Sequence, residues 1–354
     1  MSSKIVIAID AMGGDNYPES PVLGALMALD MFSDIEVQLV GVPSIISDEL
    51  GRLDTVVRKK LVTKHSNRIK IIDASDVIPM DFKKSADVLT RRESSIFIGS
   101  QGVKKGDFHA FVSAGNTGAL LAAAYRRIAR ISGISRPALS VVFPTANGPC
   151  VGLDVGANAE NTVKHLIQFG IMGKIYSQMV LGVRVPRVAL MNIGEEDSKG
   201  PPLYIEVHRQ LRELSNRGII NFIGNVQGGD IFSGKADVII FDGLLGNVLL
   251  KQAESLIPTL KGAIQRKLSE SSFFHKVVAG TVSILLKSLV GAIRKEFDYQ
   301  QYGGVPFLGV NGVVVKAHGK STPLAIMHAI RVAREACVKN LVGVIRQEIS
   351  SLSI

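Results

Sequence analysis

One pattern constrains this chain more than any other. A short β-branched run ends in a loop rich in Gly, Asn and Asp, and the loop opens into an amphipathic helical stretch. The unit recurs with strands at residues 4–10, 108–113, 150–155, 187–192, 236–242 and 313–316, and with helices at 20–31, 119–131, 162–172, 203–215, from about 248, and at 324–346. Strands alternating with helices in this way build a mostly parallel sheet covered on both faces, an α/β fold of three layers. Ligands of such sheets bind beyond the carboxyl ends of the strands, where these loops gather. No Pro-, Gly- or Ser-rich linker divides the chain, so residues 1–354 read as one α/β unit, with room for two subdomains about a central crevice. The spacing of the units has no fixed period, which argues against a solenoid.

Composition narrows the partners. With 46% hydrophobic and 20% charged residues, the 354-residue chain has ample material for a core and needs neither disulfide nor structural metal. Cys150 and Cys337 are far apart, so neither a zinc module nor a disulfide framework is expected. The excess of 41 Lys+Arg over 31 Asp+Glu, a net +10, points to an acidic partner. Trp is absent and Tyr numbers six, which speaks against stacking on single-stranded nucleic acid. The N-terminus enters a strand pattern directly, with no secretory or transit signal, so a cytoplasmic protein is expected. The positive charge is concentrated: residues 258–295 carry seven Lys or Arg against Glu270 alone, +6 of the +10. Within that stretch, Phe273, Val277, Leu285, Leu289 and Ile293 recur at helical spacing, so residues 255–297 read as an amphipathic helical insertion. Lys287, Ser283 and Ser288 interrupt it too often for a transmembrane span. Packing within a dimer, binding to a membrane surface and docking of an acidic carrier all suit such a helix.

Several loops carry chemistry. Ser113-Ala114-Gly115-Asn116-Thr117-Gly118 joins a strand to a helix, with Thr117 placed to cap it and small neighbours that let an anion approach the backbone. It is neither a Walker A loop nor a dinucleotide fingerprint. Asp10-Ala11-Met12-Gly13-Gly14-Asp15 sets two carboxylates around a tight turn, suited to orienting a lysine or to satisfying loop amides. Asn192 to Gly200 holds Glu195, Glu196 and Asp197 before Lys199, which is able to neutralise a phosphate or an oxyanion. Asp154, Asn158, Asp242, Asn247, Asn311, Lys316 and His318 add polar groups at or near other strand ends. GxSxG and HExxH are absent, and Cys150 begins a strand, so covalent catalysis is disfavoured and an anion-binding crevice favoured.

Taken in order, IAIDAMGGD, FVSAGNTGALLAA, LDVGAN, NIGEEDSKG, DVIIFDGLLGNVLLK and YGGVPFLGVNGVVVKAHGKS resemble the bacterial phosphate acyltransferase family, PlsX, over residues 5–321. The resemblance implies acyl transfer from acyl carrier protein to inorganic phosphate, giving acyl phosphate for a membrane acyltransferase of phospholipid (phosphatidic acid) synthesis. It further implies no cofactor and no metal, a fold like that of isocitrate and isopropylmalate dehydrogenases and of phosphotransacetylase, and a homodimer working beside the membrane. The chain departs from the family pattern at Gln227 and Gly229, where Glu and Arg are usual, and at Leu244, where Phe is common. On this reading Asn116, Thr117 and Gly118 cradle phosphate, Lys199, Lys316 and His318 balance charge near the reacting centre, and Asp10, Asp15, Asp154 and Asp242 position them. Gly13, Gly14, Asn158, Glu195, Asn247 and Asn311 complete the expected site. A phosphotransacetylase acting on short acyl-CoA and a non-catalytic membrane scaffold stand as alternatives. Nucleic acid is not an expected partner.

Overall fold

The short apolar runs become strands buried on both sides, as a sheet sandwiched between helices requires. The computed structural model describes residues 4–52, 56–270 and 304–352. Its strands are β1 (Ile5–Asp10), β2 (Ile35–Gly41), β3 (Ile69–Asp73), β4 (Ala110–Ser113), β5 (Ala138–Thr145), β6 (Gly148–Leu153), β7 (Arg187–Met191), β8 (Asn221–Val226), β9 (Val238–Ile240), β10 (Val305–Leu308) and β11 (Val313–Lys316). They form a single eleven-stranded sheet in the order β3-β2-β1-β4-β11-β10-β5-β6-β9-β7-β8.

The strands from β3 to β11 pair in parallel, as do those from β6 to β8. The three pairings between these wings, β11–β10, β10–β5 and β5–β6, are antiparallel. Three reversals are an odd number, so the two parallel wings run in opposite senses. The expected sheet is present, mostly parallel, but its centre is an antiparallel seam. Loops at the carboxyl ends of the two wings therefore leave the sheet at opposite ends.

Helices cover both faces: α1 (Glu19–Met31), α2 (Pro43–Arg52), α3 (Val56–His65), α4 (Ser95–Lys105), α5 (Thr117–Ala123), α6 (Val163–Met179), α7 (Pro202–Asn216), α8 (Gly243–Glu270), α9 (Pro323–Val338) and α10 (Leu341–Leu352). Successive strand residues alternate between two cores. Ile7 and Ile9 of β1 pack with α1, α6, α7, α9 and α10, whereas Ala8, with Phe111 and Val314, packs with α4, α5 and α8. Starts follow their caps: Thr162 and His165 form a reciprocal box at α6, and Pro202 and Pro323 begin α7 and α9.

Two expected helices differ. The single helix expected over 324–346 is two, because Asn340 takes a left-handed turn (φ 49°) between α9 and α10. The helix expected over 119–131 ends regular pairing at Ala123 and closes on a wider turn in which the Ala129 amide donates to the Ala124 carbonyl (3.2 Å), with Ala129 at φ 77°. Of the amphipathic insertion read at 255–297, residues up to Glu270 continue α8; residues 271–297, with the 273–293 apolar stripe, lie outside the described residues. No helix among the described residues is long and apolar enough to cross a membrane.

Candidate active site

A cleft of about 470 Å³ lies over the antiparallel seam, on the face covered by α5 and α8. The first wing contributes Thr117 and Lys316–His318; the second contributes Val155, Gly156 and Asn158. α8 joins the two ends. It starts after β9, packs Asn247 against Gly156, and carries Glu254 to within 3.9 Å of His318 Nε2. The intervening wall is apolar, with Leu139, Val141, Val305 and Leu250 among its residues.

The end of the cleft nearest β11 is cationic. Lys316 is 7% exposed, and its Nζ donates to the Ala114 carbonyl (3.3 Å) and to the Ala317 carbonyl. Burial pushes its ammonium down to about 8, against the pull of Asp10. His318 Nδ1 accepts the Lys320 amide (3.1 Å), so a neutral ring carries its proton on Nε2, facing Glu254. Burial holds this imidazole below its ordinary range. Lys251, paired with Glu254 at 2.8 Å, completes the end.

Behind it the backbone is fixed by a buried relay. Ser113 Oγ donates to Asp10 Oδ2 (2.6 Å) and accepts the Gly115 amide (3.0 Å), while Asp10 Oδ1 accepts the Met12 amide (3.1 Å). Burial raises the Asp10 carboxyl despite these donors. A side chain at residue 13 would stand 2.6 Å from both Asp10 Oδ2 and the Gly115 amide, so the two loops interlock only with glycine there. Gly14, at φ 92°, brings Asp15 to donate its amide to the Gly319 carbonyl (2.7 Å), tying the first loop to the β11 loop. The α5 loop differs from its expected role. Asn116, not Thr117, caps α5: its Oδ1 accepts the Ala119 amide (2.9 Å) and its Nδ2 donates to the Met80 and Phe82 carbonyls. Gly118 packs against Ser85, whose Oγ would lie 2.3 Å from an added Cβ. Thr117 alone of these three lines the cleft.

The opposite end rests on Asp154, which is fully buried. Its carboxylate accepts the Leu139 (2.9 Å), Ala157 (3.1 Å) and Asn158 (2.8 Å) amides and Asn158 Nδ2 (2.9 Å). Burial raises this carboxyl too, with the hydrogen bonds opposing. Asp242 caps α8 by accepting the Leu245 amide (2.8 Å) and receives the Tyr204 hydroxyl (2.6 Å). Asp154 and Asp242 thus hold a loop and a helix start.

Three expected residues lie elsewhere. Lys199 is half exposed on the β7–α7 loop, 4.0 Å from Glu196, and is not among the cleft-lining side chains. That loop is anchored from below: Asn192 Nδ2 donates to the Lys199 carbonyl, Asn225 Nδ2 to the Glu196 carbonyl, and His208 Nε2 sits 3.1 Å from Asp197. Glu195 pairs with Lys235 at the surface (2.6 Å). Asn311 lies in the β10–β11 connection, at the far end of β11 from Lys316, and accepts from Arg346. The sequence reading missed Lys251 and Glu254. Their signal was present: Asn247, Lys251 and Glu254 fall at i, i+4 and i+7, one stripe of a helix.

The cleft therefore pairs a buried cationic end with an apolar wall, and among the described residues no serine or cysteine lines it. Cys150 lies inside β6 with its thiol pushed up to about 12, which suits packing. Residues 5–343 match the family model described as fatty acid synthesis protein. A phosphate acyltransferase of Halothermothrix orenii is 41% identical over 97% of this chain and 98% of its own length. One from Heliobacterium modesticaldum is 41% identical over 97% of each. In fold the chain is similar to a phosphotransacetylase from Streptococcus pyogenes (TM-score 0.59, 16% identity, 95% of each chain) and to the EutD phosphotransacetylase of Staphylococcus aureus (TM-score 0.57, 14% identity, 94% of each).

Proposed function

This chain belongs to the family described as fatty acid synthesis protein, and its curated relatives are named phosphate acyltransferases; from that premise we propose that it moves a long-chain fatty acyl group from acyl carrier protein to inorganic phosphate. The observation that carries the reading is the two-part cleft, a polar end with the Lys316 and Lys251 ammonium groups and the His318 imidazole adjoining a wall of Leu139, Val141, Val305 and Leu250. Phosphate needs charge and hydrogen-bond donors; a fatty chain needs apolar surface, at about 0.8 kcal/mol per buried methylene.

Phosphate is a competent nucleophile near neutral pH, so the protein has to position it and stabilise the developing oxyanion. Phosphate sits at the Lys316 end, beside the Thr117 hydroxyl. One of its oxygens attacks the thioester carbonyl carbon, and the carbonyl oxygen gains charge against Lys316 and the Nε2–H of His318. Collapse breaks the C–S bond, and the proton of hydrogen phosphate passes to the departing thiolate, leaving acyl phosphate and the free thiol. Asp10 and Ser113 hold the backbone that receives the Lys316 ammonium. Asp154 and Asp242 hold the far loops and α8. Lys199, on the anchored β7–α7 loop and outside the cleft lining, has the lesser, charge-balancing part.

The product, with its fatty tail, is handed to a membrane acyltransferase for phosphatidic acid synthesis by a homodimer resting on the inner, anionic face of the membrane. Incubation with phosphate and either palmitoyl carrier protein or acetyl-CoA tests the core of this reading. Acyl phosphate from the long-chain donor is expected. Acetyl phosphate alone would favour a short-chain phosphotransacetylase, and no product from either donor would leave the scaffold reading.

A further inference from the structure

From Phe108 to Leu153 the chain has no acidic residue, yet it holds Arg126, Arg127, Arg130 and Arg136. Among the described residues these arginines enter no ion pair. Three of the four are ordered by rings instead: Arg130 and Arg136 both stack on Tyr125 (5.6 and 5.5 Å to the centroid), and Arg127 lies over Phe97 (4.7 Å). Arg126, Arg130, Arg136 and the nearby Lys164 are exposed. Arg187 and Arg334, by contrast, are neutralised by Asp237 (2.9 Å) and Asp34 (2.6 Å), whereas no carboxylate among the described residues pairs with this cluster.

Its place is specific. α5 begins at Thr117, in the cleft, and the chain beyond it carries Arg126 and Arg130. Arg136 precedes Pro137, whose carbonyl accepts Asn158 Nδ2 (2.8 Å), and Leu139 two residues later lines the cleft. Burial, and after it the nearby Arg136, hold the His165 imidazole at the start of α6 below its ordinary range, which places Arg136 beside α6. The cluster borders the end of the cleft formed by Leu139, Gly156 and Asn158.

We propose that the arginine cluster at Tyr125 is the docking surface for an acidic carrier protein, which delivers the acyl thioester into the adjacent cleft. The inference rests on the proposed transfer from a carrier. Charge complementarity is its basis: a fixed, unpaired cationic rim beside a substrate entrance steers and registers an acidic partner without taking part in the chemistry. Ring-stacked guanidinium groups keep their donors in place, so less freedom is lost on docking.

Arg130→Glu with Arg136→Glu tests it, by steady-state kinetics with palmitoyl carrier protein and with palmitoyl pantetheine, which has no protein to dock. KM for the carrier-bound donor should rise by about tenfold or more with kcat little changed, and the salt dependence of kcat/KM should flatten. Turnover of palmitoyl pantetheine should match wild type, which also reports an intact fold. An unchanged KM for the carrier donor overturns the proposal, as does an equal loss with both donors. So does loss of binding to vesicles of anionic phospholipid without a change in carrier KM, which would assign the surface to the membrane. If wild-type protein makes no acyl phosphate from the carrier donor, the proposed function itself has failed, and the variants are not needed to see it.

Discussion

Lys316 is the last residue of β11 and Lys199 lies in the loop that follows β7, each beside a stretch rich in Gly and polar residues, yet the molecule treats them differently. Lys316 is buried, bonded to two carbonyls and lowered to about 8; Lys199 is half exposed beside Glu196. A charge is worth far more where water is excluded than at a surface, where its field is screened. The β11 end is therefore built to place charge on a bound anion, and the β7 end to present a loop. The same contrast separates the carboxylates: Asp10 and Asp154 are buried and fully engaged, whereas Glu195 and Glu196 are at the surface.

The largest expected effect breaks the scaffold beneath the cleft. Asp154→Ala leaves the Leu139, Ala157 and Asn158 amides without their acceptor, and should destabilise the fold by about 3–5 kcal/mol in chemical denaturation. A loss below about 1 kcal/mol would show that this end of the cleft is held by something else. Next, Lys316→Met should lower kcat/KM by roughly 10²–10³-fold. The same variant sharpens the electrostatic contrast, because folding lowers the lysine from 10.5 to about 8. Between those values the unfolded chain holds the proton and the folded one does not, so wild type should gain stability relative to the variant as pH rises through that window. Parallel stability curves for the two proteins would contradict the burial argument. Lys199→Ala should act more weakly, lowering turnover at saturating phosphate by roughly tenfold or less, as suits a screened group. A loss equal to that of Lys316→Met would erase the distinction between the two loops.

Much of this architecture was legible. Strand runs such as residues 313–316 and the loops after them follow from period and punctuation alone, and the α/β class with them. The antiparallel seam was missed, although two Asn-Gly pairs mark it: Asn147-Gly148 at the β5–β6 turn and Asn311-Gly312 before β11. Asn311 was read as a site residue because a strand-end polar group and a turn residue look alike in one dimension. Asn116 shows the opposite limit, since whether its amide caps a helix or faces a ligand depends on Met80 and Phe82, more than thirty residues away. The burial of Lys316 is likewise tertiary: β4 and β10 flank it in the sheet and the Ala114 carbonyl takes its ammonium, and no local pattern announces that.

Lys316 is the group assigned to hold phosphate at the buried end of the cleft. The most direct measurement is KM for phosphate as a function of pH, in wild type and in Lys316→Met, with a long-chain carrier donor. Since the ammonium is present below about 8 and lost above it, wild-type affinity for phosphate should weaken as pH rises through that value. The variant should start with KM at least about tenfold higher and lack that transition. An unchanged KM, with the same pH dependence in both proteins, would contradict the assignment.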